Sequence, residues 1–439
     1  MNQSFAALNG QLSGTRLFLI VATLLSLSGA TFVSAQDKAD AAASPKGEWP
    51  QFLGPQRNGI SRETGLLDTW PTDGPKEVWR VKGGVGMSGL VISGGKMITM
   101  VQDQAKQFVL ALDALTGKQL WKTAVGPAYR NAQGAGPRAT PAIVGDMVYT
   151  FSGEGILSAL KFGDGSLVWK HDTVKELGGK IATYGMACSP LVVDNRVIVT
   201  VGAPNATVVA YHAVTGKRGW KAGGDRAGYS SPAFLTLGGR PQLVVFTGQS
   251  VLGIGHKSGA TLWRYPYKTT FDCNIATPIA YKDKLFISSG EDHGCALLAL
   301  TATGDKFEIK ETWKSQGKGS VMRNGWQTSI LWDGHLYGMD NVGPASPITH
   351  LNCVEIATGK LIWQKKRFGN GNLIAADGKL ILTTMKGELV FVRITPKGYE
   401  EIGRSKLIGT TRQAAALSNG RLYLRDDREI LCVDVRKIP

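Results

Sequence analysis

Five cysteines are spread over 439 residues, at positions 188, 273, 295, 353 and 432, and no two stand at CxxC spacing. Zinc-ribbon and thioredoxin-like chemistry need thiols two residues apart, so both are excluded. The odd count leaves at least one thiol unpaired within the chain. Cys273 and Cys295 fall in one repeat and form the candidate bridge in an oxidising compartment. The alternative is buried free thiols acting as small hydrophobes. Acids are also scarce, with 34 Asp and Glu against 50 Lys and Arg. Long stretches with helical periodicity are missing. No phosphate-cradling loop, Ser-His-Asp order or pair of glycosidase carboxylates can be defended, which sets aside those enzyme classes. The excess of positive charge comes without a known nucleic-acid-binding motif, so nucleic acid is not expected as a partner.

Charge is absent from the N-terminus too, where Arg16 is the only charged residue before Asp37. The apolar run Leu17–Ala30 is shorter than the roughly 20 residues a membrane span needs. Val33-Ser34-Ala35 supplies small residues at a cleavage site. Residues 1–35 therefore read as a secretory signal peptide cut before Gln36, with an uncleaved anchor helix as the alternative. After cleavage no integral membrane segment is expected, and the protein should be exported to the periplasm or cell envelope. Residues 36–48 read as a flexible linker rich in Ala, Ser, Lys and Pro. Residues 49–75 form a lead-in, and 76–439 a single repeat domain.

What the chain does have is glycine, 56 in all, and tryptophan, 11 in all, set among short runs of Val, Ile, Leu, Phe and Tyr. One phrase recurs: ALDALTGKQLWK at 111–122, ALKFGDGSLVWK at 159–170, AYHAVTGKRGWK at 210–221, GIGHKSGATLWR at 253–264 and CVEIATGKLIWQ at 353–364. Its tryptophans, with Trp313 of a longer version, are 121, 169, 220, 263, 313 and 363, separated by 43 to 51 residues. That period fits four strands and their turns, one blade of a propeller. Gly117, Gly165, Gly216, Gly259 and Gly359 occupy the tight turn before each tryptophan, where positive φ is needed. Ser/Thr-Pro pairs at 140–141, 189–190, 231–232 and 277–278 mark the start of each inner strand. A seventh, degenerate unit follows. The C-terminal stretch supplies three strands of an eighth, and KEVWRV at 76–81 has the pattern of the missing outer strand. The expectation is an all-β, eight-bladed β-propeller, closed by an N-terminal strand that completes the C-terminal blade and removes the open edges.

The sequence Ala-x-Asp-x-x-Thr-Gly-x-x-x-Trp at 111–121 resembles the tryptophan-docking repeat of pyrroloquinoline-quinone (PQQ)-type propellers, matching at every defined position and in part in the other repeats. The lead-in WPQFLGPQRNGIS at 49–61 resembles the start of exported PQQ-like propellers of planctomycete type. The resemblance implies two possible functions. Quinoprotein dehydrogenases hold PQQ and Ca²⁺ at the channel mouth, and cofactor-free propellers similar to BamB act as scaffolds of outer-membrane barrel assembly. The repeat is a packing motif, so it speaks to fold and not to activity. The dehydrogenases' adjacent cysteines have no counterpart here.

Strand order puts the long connections between blades on one face, together with the turns between second and third strands. Long loops on a rigid scaffold are where function concentrates. Those connections hold nineteen Lys and Arg against four acids, Asp172, Glu176, Asp225 and Asp272. Such a field steers anionic partners. Residues just before the inner strands should line the channel mouth: Arg138, Tyr184, Tyr229, Asn274, Arg323, Trp326, Asn372 and Arg412. Rings, guanidinium groups and amides suit a planar anion, PQQ included. Glu291, Asp292 and Asp340, near His293 and Asn341, are the best candidates for a cation such as Ca²⁺, or else belong to polar turns. The leading expectation is a monomeric, non-catalytic binding or scaffolding propeller without cofactor. Its basic face would engage an acidic protein or envelope polymer. A divergent PQQ- and Ca²⁺-dependent dehydrogenase and a polysaccharide-binding propeller are the alternatives.

Overall fold

The structure, a computed structural model, describes residues 47–343 and 347–437. The expected signal peptide and nearly all of the linker lie outside the described residues. Eight antiparallel sheets of four strands follow one another around the ring, accompanied by one two-stranded hairpin at 130–135. Among the described residues helix is confined to single turns such as Thr173–Glu176, where the Asp172 carboxylate accepts the Lys175 amide. No helix among the described residues is long and apolar enough to cross a membrane.

The middle strands of each blade are buried on both faces, because each sheet is sandwiched between two others. Lys96–Asp103 is interior at all but its two ends. Such strands read as continuous apolar runs. The outer strand Gln119–Pro127 is exposed at most positions, and Trp121 and Val125 turn inward. The core therefore lies between blades. One cluster joins Val91, Met100 and Trp121 of the first blade to Ile143, Val148 and Leu160 of the second.

The ring closes as the sequence implies. Lys76–Lys82 pairs antiparallel with Glu429–Asp434, from Lys76 opposite Asp434 to Lys82 opposite Glu429. Arg425, buried in the last blade, fastens it to the first by donating to the Gly84 carbonyl at 2.6 Å, the Met100 carbonyl at 2.7 Å and the Thr99 hydroxyl at 3.0 Å. Burial lowers its pKa to about 10.

Both sequence signals have a physical cause. Each repeat tryptophan reaches across to the next blade and donates its Nε1–H to a carbonyl at that blade's turn. Trp79 meets Ala114 at 3.0 Å, Trp169 meets Ala213 at 2.8 Å, Trp220 meets His256 at 3.1 Å and Trp313 meets Ile356 at 2.8 Å. The ring lies against the turn glycine. A Cβ on Gly165 would come within 2.4 Å of Trp121, besides facing a φ of +72°. The Ser/Thr-Pro pairs stitch the inner strands together. The hydroxyls of Thr140, Ser189 and Ser231 accept the amides of Gly89, Thr140 and Ser189, at 3.2, 3.0 and 2.9 Å.

One tryptophan departs from the pattern. The fifth blade has a long hairpin, Gly294–Thr303 with Lys306–Gln316, in place of the short turn. Trp263 instead folds back on its own blade and donates to Gln242 Oε1 at 2.5 Å. It can do so because Gly253 stands where the first three repeats have Ala111, Ala159 and Ala210. A Cβ there would lie 2.0 Å from Trp263 Nε1. Gly253→Ala is expected to cost about 1–3 kcal/mol by overpacking. An unchanged denaturation midpoint would show that the ring does not depend on that glycine.

All five cysteines are free and buried, so the candidate Cys273–Cys295 bridge does not form. Burial raises both thiols to about 12, which keeps them protonated and unreactive.

The lead-in is more than an approach to the first blade. It crosses the far ends of the inner strands. Trp49 exchanges backbone bonds with Ile92 at 2.8 and 2.9 Å, and the Pro50 carbonyl accepts the Ile143 amide at 2.8 Å. Arg57 donates to the carbonyls of Ser189 and Pro190, and Ile60 bridges to Ala375. The segment thus touches the first, second, third and seventh blades.

A cup with two arginines and an aromatic wall

The channel is a cup of about 830 Å³. Trp49, Phe52 and Leu53 of the lead-in lie at its floor, and its walls take residues from all eight blades. The mouth is on the face of the inter-blade connections, as strand order implies.

Six of the eight expected residues line this cup: Arg138, Tyr184, Tyr229, Trp326, Asn372 and Arg412. Asn274 and Arg323 do not. Asn274 is fully buried in the wall. Its amide donates to the carbonyls of Thr247 and Tyr267, and its side-chain oxygen accepts Ser289 Oγ. Arg323 turns away from the channel because an acid waits behind it. Its Nε and Nη2 each lie 2.7 Å from the Asp340 carboxylate, and Nη1 reaches Asp292 at 3.3 Å.

The same ion pair corrects the expected cation site. Asp340 lies inside the strand His335–Val342, not in a turn, and is buried. Asp292 accepts the Gly343 amide as well as Arg323. Of the three acids only Glu291 lines the cup. Among the described residues no three of His, Cys, Asp and Glu come together in a way that could hold a metal ion.

Arg138 and Arg412 are held without carboxylates. Arg138 donates to the carbonyls of Tyr184 at 2.8 Å and Gly134 at 2.7 Å and to Asn131 Oδ1 at 2.9 Å, and stacks 4.6 Å from the Tyr129 ring centre. Arg412 donates to the Gln133 carbonyl at 2.6 Å and lies 5.2 Å from the Trp326 ring centre. The hairpin at 130–135 thus lies between the two guanidinium groups. Neither has an acid within ion-pairing distance among the described residues, and burial lowers both pKa values. The surrounding face is less charged than the loop count suggests. Eight of its nineteen cations, Lys122, Lys170, Lys221, Arg264, Lys314, Lys365, Arg404 and Lys406, sit on outer strands. Arg226 on the face is paired with Asp272 at 2.9 Å.

Opposite the arginines, two neighbouring loops carry left-handed residues in succession. Phe271 and Asp272 have φ of +55° and +58°, and Glu291 and Asp292 have +53° and +59°. Such backbone is costly away from glycine and clusters at functional sites. Phe271, which lay outside the expected set, is 58% exposed and meets Tyr184 edge-on at 6.3 Å.

His293 steadies this rim by accepting the Thr270 amide on Nε2 at 3.1 Å. Only the neutral ring can accept. Burial lowers the pKa of His293 from its ordinary 6.5, so the bond is intact above that value and is lost as pH falls through the lowered one. Amide exchange at Thr270, corrected for intrinsic rate, should accelerate on acidification. A pH-independent protection factor would remove His293 as the anchor.

Comparison with known proteins agrees with this architecture. The family model described as outer membrane protein assembly factor BamB matches residues 105–365. No curated protein matches the chain. Among solved structures, quinohemoprotein alcohol dehydrogenase from Comamonas testosteroni superposes with a TM-score of 0.65 at 14% identity, covering 92% of this chain and 82% of its own. BamB from Moraxella catarrhalis gives 0.57 at 14% identity, covering 82% of this chain and 99% of its own. A computationally designed protein, Ika8, gives 0.58 at 11% identity, over 82% of this chain and all of its own. At such identities the likeness is one of fold. With more than half its length matched by the family model, the chain belongs to the BamB family of PQQ-like propellers.

Proposed function

We propose that this protein is an exported, non-catalytic binding propeller of the cell envelope, and that its cup receives an anionic group presented by an acidic protein or envelope polymer. The observation that carries the reading is the pair Arg138 and Arg412, two guanidinium groups at an aromatic-walled mouth that no carboxylate touches among the described residues, Glu154 and Asp427 acting on them only from beyond ion-pairing distance. Partly desolvated cations of this kind favour an incoming anion. Arg138, whose fork is taken up by the carbonyls of Tyr184, Gly134 and Gly136 and by Asn131, contributes charge, whereas Arg412, bonded through Nη1 alone, offers its fork to carboxylate or phosphate.

The Ca²⁺ implied by the dehydrogenase resemblance fits less well. A calcium ion takes six to eight oxygen ligands. Asp340 is committed to Arg323, Asp292 to Arg323 and the Gly343 amide, and Glu291 alone remains.

The test is calorimetric titration of the mature protein with poly-L-glutamate, and separately with PQQ with and without Ca²⁺. Arg138→Glu and Arg412→Glu should each weaken the polymer by at least roughly tenfold, the loss of one charge-assisted contact. Charge reversal at Arg323 would test folding instead. Unaltered affinity in both variants would end the proposal. Stoichiometric, calcium-dependent binding of PQQ would transfer the reading to an oxidoreductase.

A further inference from the structure

The wall facing the arginines is built for the opposite charge. Glu291 lines the cup, and among the described residues no donor lies within hydrogen-bonding distance of its carboxylate. The other acids of the two rim loops are occupied, Asp272 by Arg226 and Asp292 by Arg323. Glu291 is half-buried and partly desolvated, which strengthens its attraction for a cation entering the cup. It lines the same cup as a cluster of aromatic rings. Tyr184 sits between Tyr229, with ring centres 5.9 Å apart, and Phe271, whose ring meets it at 61°. Exposed ring faces in such an edge-to-face cluster, with an acid lining the same cup, attract a weakly hydrated cation through the ring quadrupoles. Phe271 is held in this corner by left-handed backbone and by the His293 bond to its neighbour.

Both charges share the cup with one residue. Arg138 donates to the backbone carbonyl of Tyr184, and Tyr184 and Glu291 line the same cavity.

We infer that the cup binds a zwitterion, with its alkylammonium group in the corner of Glu291, Tyr184 and Phe271 and its anionic group at Arg138 and Arg412. This rests on the anion-binding reading above and adds the cation subsite. A phosphate ester of a quaternary amine has this chemistry, whether free or as a lipid headgroup.

The experiment titrates the mature protein with phosphocholine, choline and inorganic phosphate, and repeats phosphocholine with Glu291→Gln, Phe271→Ala and Arg412→Glu. Phosphocholine should bind roughly tenfold or more tighter than either half alone, in keeping with a desolvated cation–π contact. Glu291→Gln and Phe271→Ala should reduce phosphocholine to the level of phosphate without changing phosphate itself, and Arg412→Glu should reduce it to the level of choline. Equal affinity for phosphocholine and phosphate would overturn the cation subsite and leave the anion reading standing. Binding of choline with no response to phosphate would keep the corner and sink the anion reading, and the zwitterion with it. No heat with any probe would overturn the inference. Given binding of free phosphocholine, sedimentation with phosphatidylcholine vesicles tells the two sources apart. Co-sedimentation assigns the lipid headgroup, and its absence a soluble ligand.

Discussion

Replacing Arg323 with methionine should lower the free energy of unfolding by about 3–5 kcal/mol, because it leaves the Asp340 carboxylate buried without its cation. Both oxygens of Asp340 take a guanidinium nitrogen at 2.7 Å, and Oδ1 also accepts the Arg323 amide at 3.0 Å. The pair ties the connection before the sixth blade to that blade's second strand. The double variant Arg323→Met, Asp340→Leu should recover much of the loss, since apolar residues of similar size remove the stranded charge. Recovery stays incomplete because the Arg323 amide then has no acceptor, a cost of about 1–3 kcal/mol. Urea denaturation of the two variants beside the unaltered protein checks this. A double variant less stable than the single would mean that the pair contributes net stability.

The second large effect is expected at the floor of the cup. Trp49 is 3% exposed, and its ring lies over Gly54, where a Cβ would come within 2.8 Å of it. Trp49→Ala should cost about 3–5 kcal/mol, as truncation of a buried aromatic does. It should also loosen the hold of the lead-in on the first two blades. Phe52, which also lines the floor but is less buried, offers the contrast. Phe52→Ala should alter the affinity of a ligand that fills the cup and have much less effect on stability. Denaturation and calorimetry on both variants separate the roles. A stable Trp49→Ala protein would show that the floor is held by backbone bonds alone.

The repeat was legible in the sequence because its signals are imposed by contacts that recur once per blade. Trp121, Trp169, Trp220, Trp313 and Trp363 must each reach a neighbouring carbonyl, and Gly165 and its counterparts must leave room for the ring. The split closure was legible for the same reason, since Trp79 repeats the outer-strand pattern. At the site, six of eight wall residues followed from their place before an inner strand. Arg323 and Asn274 occupy similar places, yet their partners, Asp340 and Ser289, lie on other strands and turn them inward. Pairing across a sheet leaves no mark in local sequence. Phe271 escaped because its orientation depends on a left-handed backbone that nothing in the sequence around Thr270 announces. The floor escaped because Trp49, Phe52 and Leu53 follow no strand or helix period. Only their bulk, beside Gly54-Pro55, signalled a packed segment.

The strand Lys76–Lys82 finds its partner at Glu429–Asp434, almost the whole domain away in sequence. Contacts of such separation are slow to form, because the loop entropy is spent before any contact repays it. While the chain is being synthesised, the first blades can assemble side by side, but the last blade stays one strand short and the ring stays open. Its two terminal blades then present apolar faces that only their meeting can cover. Final closure is therefore the step at which this protein is exposed to misassembly, and a chain cut short of residue 429 loses the joint that makes an arc into a ring.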